Sequence, residues 1–292
     1  MRGAVAVITR DNFVTWEMKA LHRAARARGI SLVRIDPMRW AFDVQHARFE
    51  GISKGLIRQD PSMIGAIGRI DQDALLAGLR VLEVLARVGV PTINGPAAVR
   101  NGRDKALAAL ALSEHGVPQP ESRIMSALTV DHLRHVSYPV VVKPLIGGKG
   151  ALVSKAAGPR ELLRLLKENG SPMLVQSFVS GAKRELRLVI LDGSVLAAVA
   201  KTPPPGEWRA NLSLGARAMP VKAEIETADA AVRAARAVGA DFAAVDILET
   251  AEGPLVIDVN VCPGFQHVEA ATGADIAGSV MDSMRRRIMN VQ

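Results

Sequence analysis

Residues 185–200, ELRLVILDGSVLAAVA, constrain the fold more than any other stretch. Two apolar runs flank Asp192-Gly193, a dipeptide that tolerates the positive φ values of a two-residue turn, so the runs must double back as an antiparallel hairpin. A second pair of apolar runs, FAAVDILE (242–249) and PLVIDVNV (254–261), is separated by a short turn around Thr250 to Gly253. An antiparallel sheet is therefore expected in the last third of the chain. Thr227 is placed to cap a helix running to Val238, with Gly239 as its stop.

The beginning of the chain follows another rule. GAVAVIT (3–9), a helical stretch from Thr15 to Arg28 closed by Gly29, and SLVRID (31–36) form a β-α-β opening. MIGAIGRI (63–70), a helix from Asp73 to Val88 and PTIN (91–94) continue the alternation, which predicts a small parallel-sheet domain over residues 1–95. Its glycines do not form a dinucleotide fingerprint. A central unit, 96–179, holds two helical pieces up to Pro120, the strand PVVVKP (139–144), the glycine loop and strand GGKGALVSKA (147–156), a helix from Arg160 to Glu168 and the strand MLVQSFV (173–179). The third unit, 180–292, carries both hairpins, the stiff loop TPPPGEW (202–208) and a closing amphipathic helix.

Charge narrows the partners. The net charge of +8 favours anionic ligands, but Arg and Lys are scattered over helical faces without the interleaved aromatics of a nucleic-acid platform. A solvated basic surface is expected, with nucleic acid disfavoured. Cys262 is the only cysteine, so no intrachain disulfide forms, and no window approaches the ~18 apolar residues of a membrane span. A cytoplasmic protein is expected.

Two of the C-terminal runs carry carboxylates. If the turn between them has three or five residues, Asp246 faces Asp258 across the hairpin, with Cβ atoms about 5 Å apart. Asn260 lies two residues beyond Asp258, on the same face. Apolar neighbours make water a poor remedy for such a pair, so a divalent cation is the natural counter-ion; the alternative is frayed strand edges exposing both acids. Oxygen ligands favour Mg²⁺ or Mn²⁺ over zinc. Metals held this way usually also hold phosphates, and Gly147, Gly148 and Gly150 can bring backbone N–H groups close to an anion, with Lys149 adding charge, although such loops are more often plain turns. Lys143 ends an apolar strand just before that loop, and an inward lysine there needs an anion. Lys105, in RDKALAAL, is ambiguous by itself. Cys262 lacks a readable His partner and is expected to be a packed small residue; His132 and His135 lack further ligands and are expected to be solvated, and His267 sits in the segment FQHVEAATG.

Taken in order, RDKALAALALSEHGVPQP, PVVVKPLIGGKG, LVQSFV, GEWRANLSLGA, AVDILE and VNVCPGFQHVEAATGADIAG resemble the ATP-grasp superfamily, and within it the RimK-type amino-acid ligases. The resemblance spans nearly the whole chain. It implies a parallel-sheet N-terminal domain followed by two α+β subdomains gripping ATP, with Lys105 and Lys143 on the phosphates and the glycine loop closing over them. Gln176, Ser177, Phe178 and Val179 would form the adenine hinge, read through the backbone, and Glu185 would hold the ribose. Arg209 and Asn211 match the polar pair facing the phosphates and the reacting carboxylate. Asp246, Asp258 and Asn260 match the metal ligands for one or two ions, with Asp258 standing where glutamate is usual. The implied reaction is ATP-dependent joining of an amino acid, most often glutamate, to a carboxylate-ended acceptor such as a protein C-terminus, a pterin or a deazaflavin coenzyme, in a homo-oligomeric enzyme. The rivals are a carboxylate–amine ligase of purine or peptide metabolism and a non-catalytic nucleotide- or nucleic-acid-binding protein.

Overall fold

The computed structural model describes residues 3–10, 15–46, 48–50, 63–126, 133, 135–147, 152–170, 172–210 and 215–291. The apolar runs of the first ninety residues become β1 (Ala4–Ile8), β2 (Ser31–Ile35), β5 (Met63–Gly68) and β6 (Thr92–Ile93), with β3 (Ala41–Asp43) and β4 (Arg48–Glu50) as a small separate ladder. Among the described residues the four longer-range strands pair in parallel in the order β2-β1-β5-β6, with α1 (Trp16–Ala27) and α2 (Leu75–Arg87) between them. Such pairing needs crossovers, and the helices supply them. The helical stretch expected from Asp73 opens instead with a 3₁₀ turn at Gln72–Ala74 before α2 begins.

The two helical pieces of the middle region are α3 (Pro96–Arg103) and α4 (Lys105–Glu114). Asp104 separates them: its extended backbone ends α3, and its carboxylate accepts from the N–H groups of Ala106 and Leu107 as the cap of α4. The sequence RDK thus places Arg103 on the last turn of one helix and Lys105 on the first of the next. The second sheet, in the order β7-β10-β8-β9, is antiparallel and consists of β7 (Ser122–Met125), β8 (Val140–Pro144), β9 (Ser154–Ala156) and β10 (Met173–Ser177), backed by α5 (Pro159–Asn169).

The predicted hairpin is β11 (Arg184–Leu191) and β12 (Ser194–Thr202), with Asp192 and Gly193 at φ 49° and 73°. These values fit the two-residue turn that the dipeptide favours. After β13 (Arg217–Pro220) and α6 (Ile225–Ala237), the second hairpin is β14 (Phe242–Glu249) and β15 (Pro254–Asn260), and the sheet runs β13-β12-β11-β14-β15. The chain ends in α7 (Gln266–Thr272) and α8 (Ile276–Val291). Thr227 does not cap α6: that helix begins two residues earlier, and the buried Thr227 hydroxyl bonds to Glu249 Oε1 at 3.2 Å.

One face of this sheet rests on α6, whose Ala230, Ala231, Ala234 and Ala235 let the helix lie close to Leu186, Leu188, Val245 and Ile247. Half of the other face joins α1, α7, α8 and the parallel sheet in a shared core around Phe265, Met281 and Met284. Asn94, at φ 55°, fastens this junction. Its side chain donates to the carbonyls of Phe242 and Val261 and accepts from the N–H groups of Asp241 and Phe242, so all of its hydrogen-bonding capacity is used.

Candidate active site

The remaining half of that face opens into a cleft of about 1280 Å³. Thr250–Gly253 is a four-residue turn, neither three nor five, which alone would set Ile257 opposite Asp246. A β-bulge inserts Ile257 as an extra residue, so that Asp246 pairs with Asp258 and Ala244 with Asn260. A bulge at Leu196 does the same for the first hairpin: it pairs Glu185 with Lys201, where an unbroken ladder would have offered Ala200. Two single-residue insertions thus turn Glu185, Arg187, Lys201, Asp246, Asp258 and Asn260 to one side.

Their charges are arranged in pairs. Arg187 grips Asp246 with two bonds of 2.8 and 2.7 Å, and Lys201, its side chain fully buried, lies 2.5 Å from Glu185 and 3.1 Å from Asp246. Burial works to raise the Asp246 pKa, but Arg187 and Lys201 outweigh it and hold the carboxyl well below its usual range. Burial raises the Glu185 pKa, partly offset by Lys201. The counter-charge expected from a cation is therefore supplied to Asp246 by Arg187 and Lys201, neither of which local sequence pattern singles out. Arg187 was within reach of pattern reasoning, two residues from Glu185 on one strand; Lys201 was hidden by the bulge.

The lysines converge on the same cleft. Lys143 Nζ donates to Gln176 Oε1 at 2.6 Å and to the carbonyl of the bulged Ile257 at 3.1 Å; burial lowers its pKa, with Asp258 acting in the opposite direction. Gln176 in turn donates to Ser122 Oγ. Lys105 Nζ reaches the Gly147 carbonyl at 3.0 Å, so Gly147 here presents its oxygen to a lysine. Gly148, Lys149 and Gly150 lie outside the described residues, as do Asn211 and His132.

Ser177, Phe178 and Val179 also line the cleft, but Ser177 and Phe178 spend their N–H groups on the carbonyls of Glu121 and Pro139. Phe178 meets Trp208 edge-on at 6.0 Å, and Lys155 Nζ sits 3.6 Å from the centre of its ring. Arg209 is held by Glu207 through bonds of 3.0 and 2.7 Å, which depress the Glu207 pKa to about 2. Glu207 aims that guanidinium and went unnoticed in the sequence.

Asp258 and Asn260 suit a hard cation, being oxygen donors on one face. Asn260 Oδ1 accepts one bond from the Cys262 N–H and keeps a second lone pair, whereas both oxygens of Asp246 are already engaged by Arg187. Among the described residues no three His, Cys, Asp or Glu side chains gather as a metal site, so a cation here would depend on the carboxamide. At the far rim, Cys262 is half-buried, His267 is exposed, and Glu17 of α1 accepts from the Phe265 N–H. All three line the cleft. His135 is exposed, as expected.

This architecture has clear counterparts. The ATP-grasp ligase PsnB, solved with a phosphomimetic variant of its minimal precursor, Mg and ADP, superposes with a TM-score of 0.75 over 99% of both chains at 20% identity. The D-alanine–D-alanine ligase of Bacillus anthracis, solved with ATP, gives 0.69 over 99% of this chain and 98% of that one, at 18% identity. The fold is the ATP-grasp fold. A model of the RimK-like ATP-grasp domain matches residues 102–284, and the probable alpha-L-glutamate ligase of Aeromonas salmonicida (strain A449) is 31% identical over 291 residues, 95% of each chain. That of Stenotrophomonas maltophilia (strain K279a) is 31% identical over 289 residues, 97% of this chain and 98% of its own. The chain belongs to the RimK-like ATP-grasp family of ligases. Among the described residues no helix is long and apolar enough to cross a membrane.

Proposed function

We propose that the chain joins L-glutamate to a carboxylate-ended acceptor at the expense of ATP. The observation that carries this reading is the cleft at one end of the antiparallel sheet, where two lysines, Arg209 and an oxygen-donor face converge. The glutamate ligases at 31% identity over nearly full length support the amine, and the precursor bound to PsnB supports a peptide acceptor over a pterin or deazaflavin.

Lys105 and Lys143 neutralise the phosphates, and adenine is read by the Val179 N–H together with carbonyls of the hinge, since Ser177 and Phe178 have no N–H to give. Glu185 reaches the ribose while remaining paired with Lys201. Asp258 and Asn260 would hold Mg²⁺ or Mn²⁺, with Asp246 joining them only by giving up part of its pairing with Arg187 and Lys201, and the ion would supply further charge neutralisation at the phosphates. The acceptor carboxylate attacks the γ-phosphate, giving an acyl phosphate and ADP; the amine then displaces phosphate. Arg209, fixed by Glu207, faces the oxyanion that forms in this second step. Preorganised charge does the chemical work, and no nucleophile triad is needed.

The test is ADP release with ATP and Mg²⁺ or Mn²⁺ across amino acids and acceptors, followed by mass spectrometry. A product heavier by glutamyl residues is expected; ADP release tied to another amine overturns the glutamate assignment. Arg209→Ala should lower turnover by about 10²-fold or more, and near-normal turnover removes Arg209 from the oxyanion role.

A further inference from the structure

The cleft cations are nearly all accounted for within the chain. Arg184 pairs with Glu249, Arg187 with Asp246, Lys201 with Glu185 and Asp246, and Arg209 with Glu207. Lys105 and Lys143 donate to oxygens of Gly147, Gln176 and Ile257. Lys183 is exposed, where water solvates it. Arg103 is different: it lines the cleft half-buried, its Nε is enclosed without a hydrogen-bond partner, and among the described residues no carboxylate or carbonyl takes its guanidinium. A buried donor left unbonded is costly, and a guanidinium is shaped to take a planar carboxylate with two parallel bonds.

Position bears on which anion Arg103 meets. Gly102 lies so close to the chain just past β15 that a Cβ there would collide with Val261, which puts Arg103, the next residue, near the end of β15. Lys143 contacts the same strand at Ile257. Val261 follows Ile257 by four residues, so Arg103 and Lys143 approach this chain at different points. Just beyond Val261 the chain turns at Pro263, whose carbonyl accepts from the buried Arg69 at 3.0 Å, Arg69 keeping an unbonded Nε of its own, and Glu17, which lines the cleft, accepts from the Phe265 N–H. This rim mixes charges of both signs, as an amino acid or peptide terminus requires.

Resting on the ligase reading above, we infer that Arg103 binds a non-reacting carboxylate of the acid substrates, either the incoming amino acid's or the acceptor's. Arg69 supports it indirectly, by fixing the Pro263 turn that borders the same rim.

The experiment compares Arg103→Gln and Arg103→Lys with the wild-type chain. Steady-state ADP release is measured while ATP, L-glutamate and tri-L-glutamate are varied in turn, and calorimetric binding of tri-L-glutamate and L-glutamate is measured without turnover. Arg103→Gln should raise KM, and the calorimetric Kd, for one carboxylate probe roughly tenfold to hundredfold, with KM for ATP within about twofold of wild type; Arg103→Lys should fall between. The probe that responds identifies the source of the carboxylate. An equal rise in KM for ATP reassigns Arg103 to the phosphates and overturns the inference. So does unchanged KM and Kd for both probes. If wild type binds a probe but releases no ADP, the ligase reading fails while the calorimetry still decides the role of Arg103. Circular dichroism and Tm exclude a folding defect, and Arg103→Lys carries the test if Arg103→Gln does not fold.

Discussion

One face of the C-terminal sheet has two ends that are buried alike and held by opposite means. Along β11, β12 and β14 the side chains run from Glu185, Arg187, Lys201 and Asp246 at one end to Val189, Leu191, Ala197 and Phe242 at the other. Lys201 has no exposed side-chain surface, and Val189 has none either. At the apolar end, burial is itself the stabilising term, at about 25 cal/mol per Å² removed from water. At the charged end burial opposes folding, and only mutual pairing offsets it. A chain selected for stability alone would have continued the apolar pattern, so the charged end marks where the molecule keeps a function.

The comparison can be broken most severely from the charged side. Asp246→Ala leaves Arg187 and Lys201 facing each other without their shared acid, and should cost about 3–5 kcal/mol in urea unfolding together with all ADP release. The double variant Asp246→Leu, Arg187→Met makes this end resemble the other. It should regain most of the lost stability, or exceed wild type, while ADP release stays absent. Recovery of turnover in the double variant would show that the ion pair has no part in function.

From the apolar side, Phe265→Ala removes a fully buried ring set edge-on to Trp16 at 5.6 Å and Phe242 at 6.0 Å. A loss of about 3–5 kcal/mol is expected from chemical denaturation, because the removed atoms and the cavity left behind both count. A loss below 1 kcal/mol would mean that the shared core collapses to fill the space.

The smallest effect lies at the hairpin tip. Asp192 bonds to Ser283, Arg286 and Arg287 of α8, and Arg287 also reaches Asp241. Burial works to raise the Asp192 pKa, but Ser283 and Arg287 outweigh it and lower it below the normal aspartate value. A carboxyl whose folded pKa is depressed adds stability above its unfolded pKa, near 3.9, and loses it as pH falls through the folded value. Asp192→Asn should therefore cost about 1 kcal/mol at pH 7, allowing for solvent screening, and the difference should shrink below pH 4 when Tm is followed against pH. A pH-independent loss would assign the effect to the turn conformation.

Local signals carried much of this molecule. Asp192-Gly193 specified its hairpin because few dipeptides accept two positive φ values, and alternating helices and apolar strands specified the parallel sheet. Lys143, Asp246, Asp258 and Asn260 were legible because polar groups inside apolar runs are expensive enough to demand a reason. What local pattern could not supply was register. The four-residue turn at Thr250–Gly253 and the bulges at Leu196 and Ile257 cancel or create one-residue shifts, and each shift exchanges the two faces of a strand. No propensity marks either bulge, and with both in place the charged side chains share one face of the sheet while the apolar ones meet α6 on the other. The partners of Asp246 and the lack of one for Arg103 follow from that assembly. Sequence determined which groups would need partners, and the tertiary structure decided which of them found one, because pairing depends on distances that only packing sets.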